Sequence, residues 1–234
     1  MLIKHLVPAP IYRWAAKRRY RLRPSPLDPW RRVTPVSPSG SSRGTCVDRY
    51  YIERFLADHA GAIRGNVLEI ADDSYTTRFG TDVRHADILH VDDSNPRATL
   101  VGDLTDPDSI PRERFDCIIL TQTLHFIYDF RTALRTLWSA LRPGGTLLCT
   151  VPGISQVMRY DADRWGDYYR FTTQAASRML GEAGFDAEVT SYGNVLTATG
   201  MLHFLAIEDY RPEELEANDA DYPLIVGMAG RRPA

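Results

Sequence analysis

From residue 66 onward, short apolar runs of strand length alternate with segments of helical periodicity, and this alternation narrows the fold more than any other feature of the chain. Residues 66–71, 87–91, 98–101 and 116–120 read as four successive strands, and 146–151, 188–192 and 224–228 as three more. Between the fourth and fifth strands, Leu134, Leu137, Trp138 and Leu141 recur on one helical face, and Arg142-Pro143-Gly144-Gly145 reads as its stop. An earlier helix is expected to start at Asp48 as N-cap, with Ile52, Phe55, Leu56, His59 and Ile63 at helical spacing. Thr173 caps a further helix ending at Gly184, and a helical insertion around 197–216 precedes the last strand. Strands that are apolar throughout, rather than alternating, belong to a parallel sheet covered on both faces. The expected fold is therefore α/β: a doubly wound, mostly parallel, seven-stranded sheet with helices on both faces. No clear crossover helix packs between the last two strands, which points to an antiparallel strand at the edge.

The first 45 residues differ from the rest. They carry ten Lys or Arg against one Asp, a net of about +9, whereas the remaining residues carry 18 basic against 29 acidic, about −11. A basic, aromatic stretch with Tyr12, Trp14 and Tyr20 could form one amphipathic helix, and Pro24, Pro26, Pro29, Pro35 and Pro38 forbid regular structure after it. Residues 1–45 are read as an arm and linker, and 46–234 as the folded domain. Such an arm suits an anionic partner, or it folds back on its own acidic domain. The domain is too acidic to offer a nucleic-acid surface, and no run approaches the roughly 18 apolar residues of a membrane span. Cys46, Cys117 and Cys149 cannot build a disulfide framework, so a reducing cytoplasm is expected. Only two of the 28 basic residues are Lys, which fits a high-GC bacterium. The assembly state is open, with a homodimer allowed.

In open α/β sheets ligands bind beyond the carboxyl ends of the strands, where strand order reverses. Those ends read Val67-Leu68-Glu69-Ile70 for the first strand, Asp92-Asp93-Ser94 for the second and Gly102-Asp103-Leu104 for the third. The fourth runs into Thr121-Gln122-Thr123-Leu124-His125. An acid after the second strand suits the two hydroxyls of a ribose. No metal-ligand spacing, phosphate-cradling loop or nucleophile elbow is present.

This ordered set, completed by Phe115-Asp116-Cys117-Ile118-Ile119 and Leu141-Arg142-Pro143-Gly144-Gly145, resembles the Rossmann-like class I methyltransferases that use S-adenosyl-L-methionine (SAM), methyltransferase type 11 in particular, over about residues 64–230. The resemblance implies that Glu69 reaches the methionine amino group, Asp92 the ribose and Asp103 the adenine amine. It implies that Leu104 or Ile119 flanks the ring, and that Gln122, Thr123 and His125 face the methionyl end and the acceptor. One departure stands out. Where the family has a glycine-rich loop, this chain has Ala71-Asp72-Asp73-Ser74-Tyr75. Ala71 is small enough for the cofactor's approach, but an acid at Asp72 would repel the cofactor carboxylate by about 4 kcal/mol at roughly 4 Å and an effective dielectric of about 20. A methyltransferase-fold enzyme of another reaction type, or a binding protein that has lost SAM, is the alternative.

After the fifth strand, Tyr160, Asp161, Asp163, Trp165, Asp167, Tyr168, Tyr169, Arg170, Phe171 and Thr172 form a dense aromatic and polar group. Such a wall suits a sugar-like or other polyhydroxylated small molecule. Its Trp-x-x-Tyr-x-Arg-Phe-Thr pattern resembles methyltransferases of bacterial glycan and natural-product biosynthesis. A hydroxyl acceptor calls for a general base, and His125 leads, with Asp167 and Asp161 in reserve and Tyr169 beside them. Phe171 is expected to pack into the core.

Overall fold

The computed structural model describes residue 11 and residues 32–39 and 42–234. The chain divides into two units, Met1–Pro35 and Val36–Ala234, and the second carries the fold that follows. Tyr12, Trp14 and Tyr20 of the expected arm lie outside the described residues.

The strands are β1 (Gly65–Ile70), β2 (Val83–His90), β3 (Leu100–Val101), β4 (Phe115–Thr121), β5 (Leu141–Pro152), β6 (Asp186–Tyr192) and β7 (Ile225–Arg231). They form one seven-stranded sheet in the order β3-β2-β1-β4-β5-β7-β6. Pairings from β3 through to β5 are parallel. β7 runs antiparallel to both neighbours and leaves β6 outermost, which realises the antiparallel pairing expected at that edge. The helices are α1 (Val47–Asp58), α2 (Ser74–Phe79), α3 (Phe130–Ala140), α4 (Arg159–Trp165), α5 (Thr173–Glu182), α6 (Val195–Leu202) and α7 (Pro212–Glu216).

Side-chain alternation along the strands divides the core into two layers. Cys117 and Ile119 of β4 join Val67, Leu148 and the α1 residues Tyr51, Ile52, Phe55 and Leu56 on one face. Ile118 and Leu120 join Leu68, Leu147 and the helix residues Leu134, Leu137 and Leu180 on the other. Cys117 and Cys149 are fully buried, and burial pushes both thiols far above their ordinary value.

Four local outcomes differ from the sequence reading. Thr172, not Thr173, caps α5, its hydroxyl accepting from the Ala175 amide at 3.2 Å. α1 starts after Cys46, with no side-chain cap bond, so Asp48 lies in its first turn and is not its N-cap. β2 begins earlier than expected, at Val83, where it already pairs with Gly65 of β1, and Asp87 in its middle is satisfied by Arg114 at 2.6 Å and Thr99 at 2.8 Å. β5 likewise starts at Leu141, ahead of the expected stop. Phe115 pairs with Leu141 but Cys117 already pairs with Thr146, so Arg142-Pro143-Gly144-Gly145 is looped out as a bulge. Gly144 takes φ +81° there, a conformation that suits glycine.

Candidate functional site

Strand order reverses between β1 and β4, and a cleft lies over their carboxyl ends. It has two adjoining parts of about 470 and 480 Å³, which share Ile70, Ala71, Gln122, Thr123, Phe126 and Asp161. One part is largely apolar: Leu89, His90 and Val91 at the end of β2, Gly102 to Thr105 after β3, then Phe126, Ile127, Tyr128, Trp165 and Tyr168. The other is the more polar of the two, with an apolar share of its own, and is bounded by Cys46, Asp48 and Arg49 at the start of α1, by Asp72, Ser74 and Tyr75 after β1, and by His125, Gln156 and Arg170.

The floor is built from strained turns. Ala71 ends β1 at φ +69° and Gln122 ends β4 at φ +45°, a left-handed conformation that costs a side-chain-bearing residue about 1–2 kcal/mol. Both are held from outside. The Ala71 carbonyl accepts from Asn95 Nδ2 at 2.7 Å, and the Gln122 amide donates to the Thr150 carbonyl at 2.9 Å. Ala71 thus stands in a glycine-like conformation at the place where the glycine-rich loop would begin.

The acids of this loop part company. Asp73 pairs with Arg97 and does not line the cleft. Asp72 lines it, with Oδ1 accepting from the Ser74 amide at 2.9 Å. Burial opposes its ionisation, but the Ser74 bonds and the charges of Arg97 and Arg49 together hold its carboxyl below the ordinary value.

Glu69 is turned inward. It is 3% exposed; its Oε1 accepts from the Tyr75 amide at 3.0 Å, and its Oε2 from the Thr76 amide and hydroxyl, both at 2.7 Å. It ties the start of α2 to β1 and does not border the cleft. Asp92 also stays outside the lining. Its Oδ1 closes a tight turn by accepting from the Ser94 amide at 3.0 Å, and His90 and Val91 border the cleft at that strand end. Asp103 does border it, and only Oδ1 is engaged, by the Thr105 amide and hydroxyl at 2.8 Å. Leu104 lines the same part, whereas Ile119 is buried in the α1 layer. A Cβ at Gly102 would lie 2.9 Å from the Ser109 carbonyl oxygen, so a side chain there would require the backbone to shift.

On the acceptor side, His125 is 5% exposed and lines the more polar part, and its Nδ1 has no hydrogen-bond partner among the described residues. Burial drives its pKa from the ordinary 6.5 down to about 4, with Asp167 opposing and Arg170 adding to the shift. The imidazole is therefore neutral near pH 7. Asp167 is no free base: its side chain is 2% exposed and both oxygens bond the Arg170 guanidinium, Oδ2 at 2.9 Å. Those bonds hold its carboxyl below the ordinary value. Tyr169 turns away from the cleft. Its hydroxyl donates to the Tyr128 carbonyl at 2.9 Å, and its ring stacks on Tyr128 and meets Phe130 and Phe171 edge-on or tilted. Phe171 is core, as expected. Of the aromatic and polar wall, Asp161, Trp165, Tyr168 and Arg170 face the cleft. Gly166, at φ +83°, makes room for Tyr168, whose ring would lie 2.4 Å from a Cβ there.

Residues 59–149 match the family model described as a methyltransferase domain. Over that stretch the chain is similar to a methyltransferase domain. The fold is similar to that of solved structures. A SAM-dependent methyltransferase from Mesorhizobium loti has TM-score 0.54 and 18% identity, over 80% of this chain and all of that one. A SAM-dependent methyltransferase from Archaeoglobus fulgidus has TM-score 0.52 and 10% identity, over 78% and 94%. A chain from the Haloferax volcanii complex between the Trm112 methyltransferase activator and a methyltransferase has TM-score 0.54 and 16% identity, over 80% and 92%. At these identities the likeness is one of fold. No curated protein matches the sequence. The expected class I fold is borne out, and the match over residues 59–149 agrees with the expected SAM-dependent methyltransferase class.

Among the described residues, no helix is long and apolar enough to cross a membrane, and no group of three or more His, Cys, Asp or Glu could hold a metal ion. Among the cleft residues that the sequence did not single out as ligand-facing are Cys46, Asp48 and Arg49 of the α1 entrance and Met201, Phe204 and Leu205 of the insertion. Local pattern marks these only as helix or loop. Their approach to β1 and β4 depends on the chain pairing Cys46 with Ala206 across the fold.

Proposed function

We propose that this domain moves the methyl group of SAM to a hydroxyl or amine of a small polar acceptor, sugar-like or of natural-product type. The observation that carries the reading is the division of the switch-point cleft. Its apolar part ends in Asp103, with one oxygen uncommitted, and its polar part holds a buried, unpartnered His125 Nδ1. A buried group left unsatisfied, as His125 Nδ1 is, favours a ligand that bonds it, and the exposed Asp103 carboxylate presents a ready acceptor at the other end of the cleft.

The residues fit the cofactor. Asp103 would accept from the nucleoside, Leu104 and Phe126 would flank its ring, and Gln122 and Thr123 would meet the segment between the two parts. When bound, SAM supplies a methyl carbon activated by a positive sulfur. The protein's main contribution is positioning, worth roughly 7–11 kcal/mol in well-oriented systems. His125, neutral at pH 7, offers Nδ1 to a hydrogen of the acceptor group and orients it. With a pKa near 4 it receives a proton only transiently and passes it to solvent. Tyr168 and Trp165 supply aromatic faces at the mouth. The free cysteines support a reducing, cytoplasmic setting.

Calorimetric titration with SAM and S-adenosylhomocysteine, on the wild type and on Asp103→Ala, tests this reading. Micromolar binding that the substitution weakens at least tenfold is expected. A folded wild-type protein that binds neither ligand would overturn it.

A further inference from the structure

Two arginines line the polar part of the cleft, and they are not equivalent. Arg170 has five N–H groups and all are engaged: Nε with the Ser155 carbonyl, Nη1 with Asp167 and the Tyr169 carbonyl, Nη2 with Asp167 and the Gln156 carbonyl. It has no donor left for a ligand. Arg49, in the first turn of α1, donates from Nη1 to the Tyr75 hydroxyl and lies over that ring with its guanidinium carbon 5.5 Å from the centroid. Asp48 and Glu53 act on its charge, but no carboxylate stands within ion-pair distance of it among the described residues, and Glu53 pairs with Arg78. Its Nε and Nη2 protons are uncommitted. Tyr75, against which it is braced, opens α2 next to Asp72 and Ser74, where the glycine-rich loop would stand.

We propose that Arg49 holds the carboxylate of the cofactor's amino-acid end, a task for which the glycine-free loop offers only Asp72 and the Ser74 region. This rests on the SAM reading above and identifies the residue that makes SAM compatible with this loop. A guanidinium presents paired donors that match a carboxylate, and its charge offsets the repulsion from Asp72. Tyr75 fixes the side chain in advance, so little rotamer freedom is lost when the ligand arrives. Asp73, the other acid of the loop, is already neutralised by Arg97.

The test compares S-adenosylhomocysteine with 5′-methylthioadenosine, which keeps the nucleoside and the thioether but lacks the amino acid. Both are titrated calorimetrically into the wild type, Arg49→Met and Tyr75→Phe. Arg49→Met is expected to weaken S-adenosylhomocysteine about 10- to 100-fold, the range of a lost charge-assisted bond, and to leave 5′-methylthioadenosine within twofold. Tyr75→Phe is expected to show the same selectivity with a smaller loss. Unchanged affinity of Arg49→Met for S-adenosylhomocysteine, or equal losses for both ligands, would overturn the assignment while leaving the SAM reading intact. A wild type that binds 5′-methylthioadenosine no less tightly than S-adenosylhomocysteine would overturn it as well. A wild type that binds neither removes both readings together.

Discussion

Asp167 and Arg170 form a two-pronged ion pair beneath the acceptor side of the cleft, with the Asp167 side chain 2% and the Arg170 side chain 25% exposed. Through the remaining bonds of Arg170 the pair fastens residues 155 and 156, after β5, to the segment that carries Tyr168. Removing one partner of a buried pair leaves the other charge uncompensated. Asp167→Ala is therefore expected to lower unfolding free energy by about 3 kcal/mol in urea denaturation. A variant that keeps wild-type stability would show that the pair is not structural.

Glu69 belongs to the same class of residue. Its carboxylate accepts three bonds from Tyr75 and Thr76 at the start of α2. Glu69→Gln replaces one oxygen by a donor that faces other donors. A loss of about 2 kcal/mol is expected, measured as a shift of the denaturant midpoint.

Ala71 at φ +69° carries strain that glycine would not. Ala71→Gly is expected to raise stability by up to about 1 kcal/mol, the gain being limited by the greater freedom of glycine in the unfolded chain. Thermal unfolding reads the change. A destabilised variant would mean that the Ala71 methyl contributes more by packing than it costs in strain.

His125 gives stability a definite pH dependence. Its folded pKa, about 4, lies below the ordinary 6.5, so the folded state binds fewer protons than the unfolded chain between these values. The contribution is fully present above pH 6.5 and is lost as pH falls toward 4, by about 3 kcal/mol at most. Denaturation at pH 7 and at pH 4.5 should show a smaller acid-induced loss in His125→Gln than in the wild type. Equal losses would place the His125 pKa near its ordinary value.

Most of the sheet was legible because burial on both faces leaves an unmistakable trace: β1 and β4 are nearly continuous apolar runs. The start of β5 was hidden for a physical reason. Arg142-Pro143-Gly144-Gly145 does turn the chain locally, but as a bulge within a strand, and only the pairing of Leu141 with Phe115 reveals this. The cleft was located by topology, and Ala71, Asp72, Asp103, Leu104, Gln122, Thr123 and His125 all border it. Which way individual side chains turn was not legible. Tyr168 and Tyr169 are neighbours on an extended segment, so one faces the cleft and the next faces inward, and composition cannot say which. Asp92 illustrates the same limit. Its turn with Ser94 closes outside the cleft, and His90 takes the place at the strand end. Arg49 was hidden because its role depends on how α1 docks beside Tyr75, a contact between residues 26 positions apart.

Whether the switch-point cleft holds SAM despite the glycine-free loop is decided by a crystal structure grown with S-adenosylhomocysteine. The nucleoside is expected beside Asp103, Leu104 and Phe126, with the amino-acid end between Ala71, Tyr75 and Arg49. Ligand density elsewhere, or the two ends reversed in the cleft, would contradict the account.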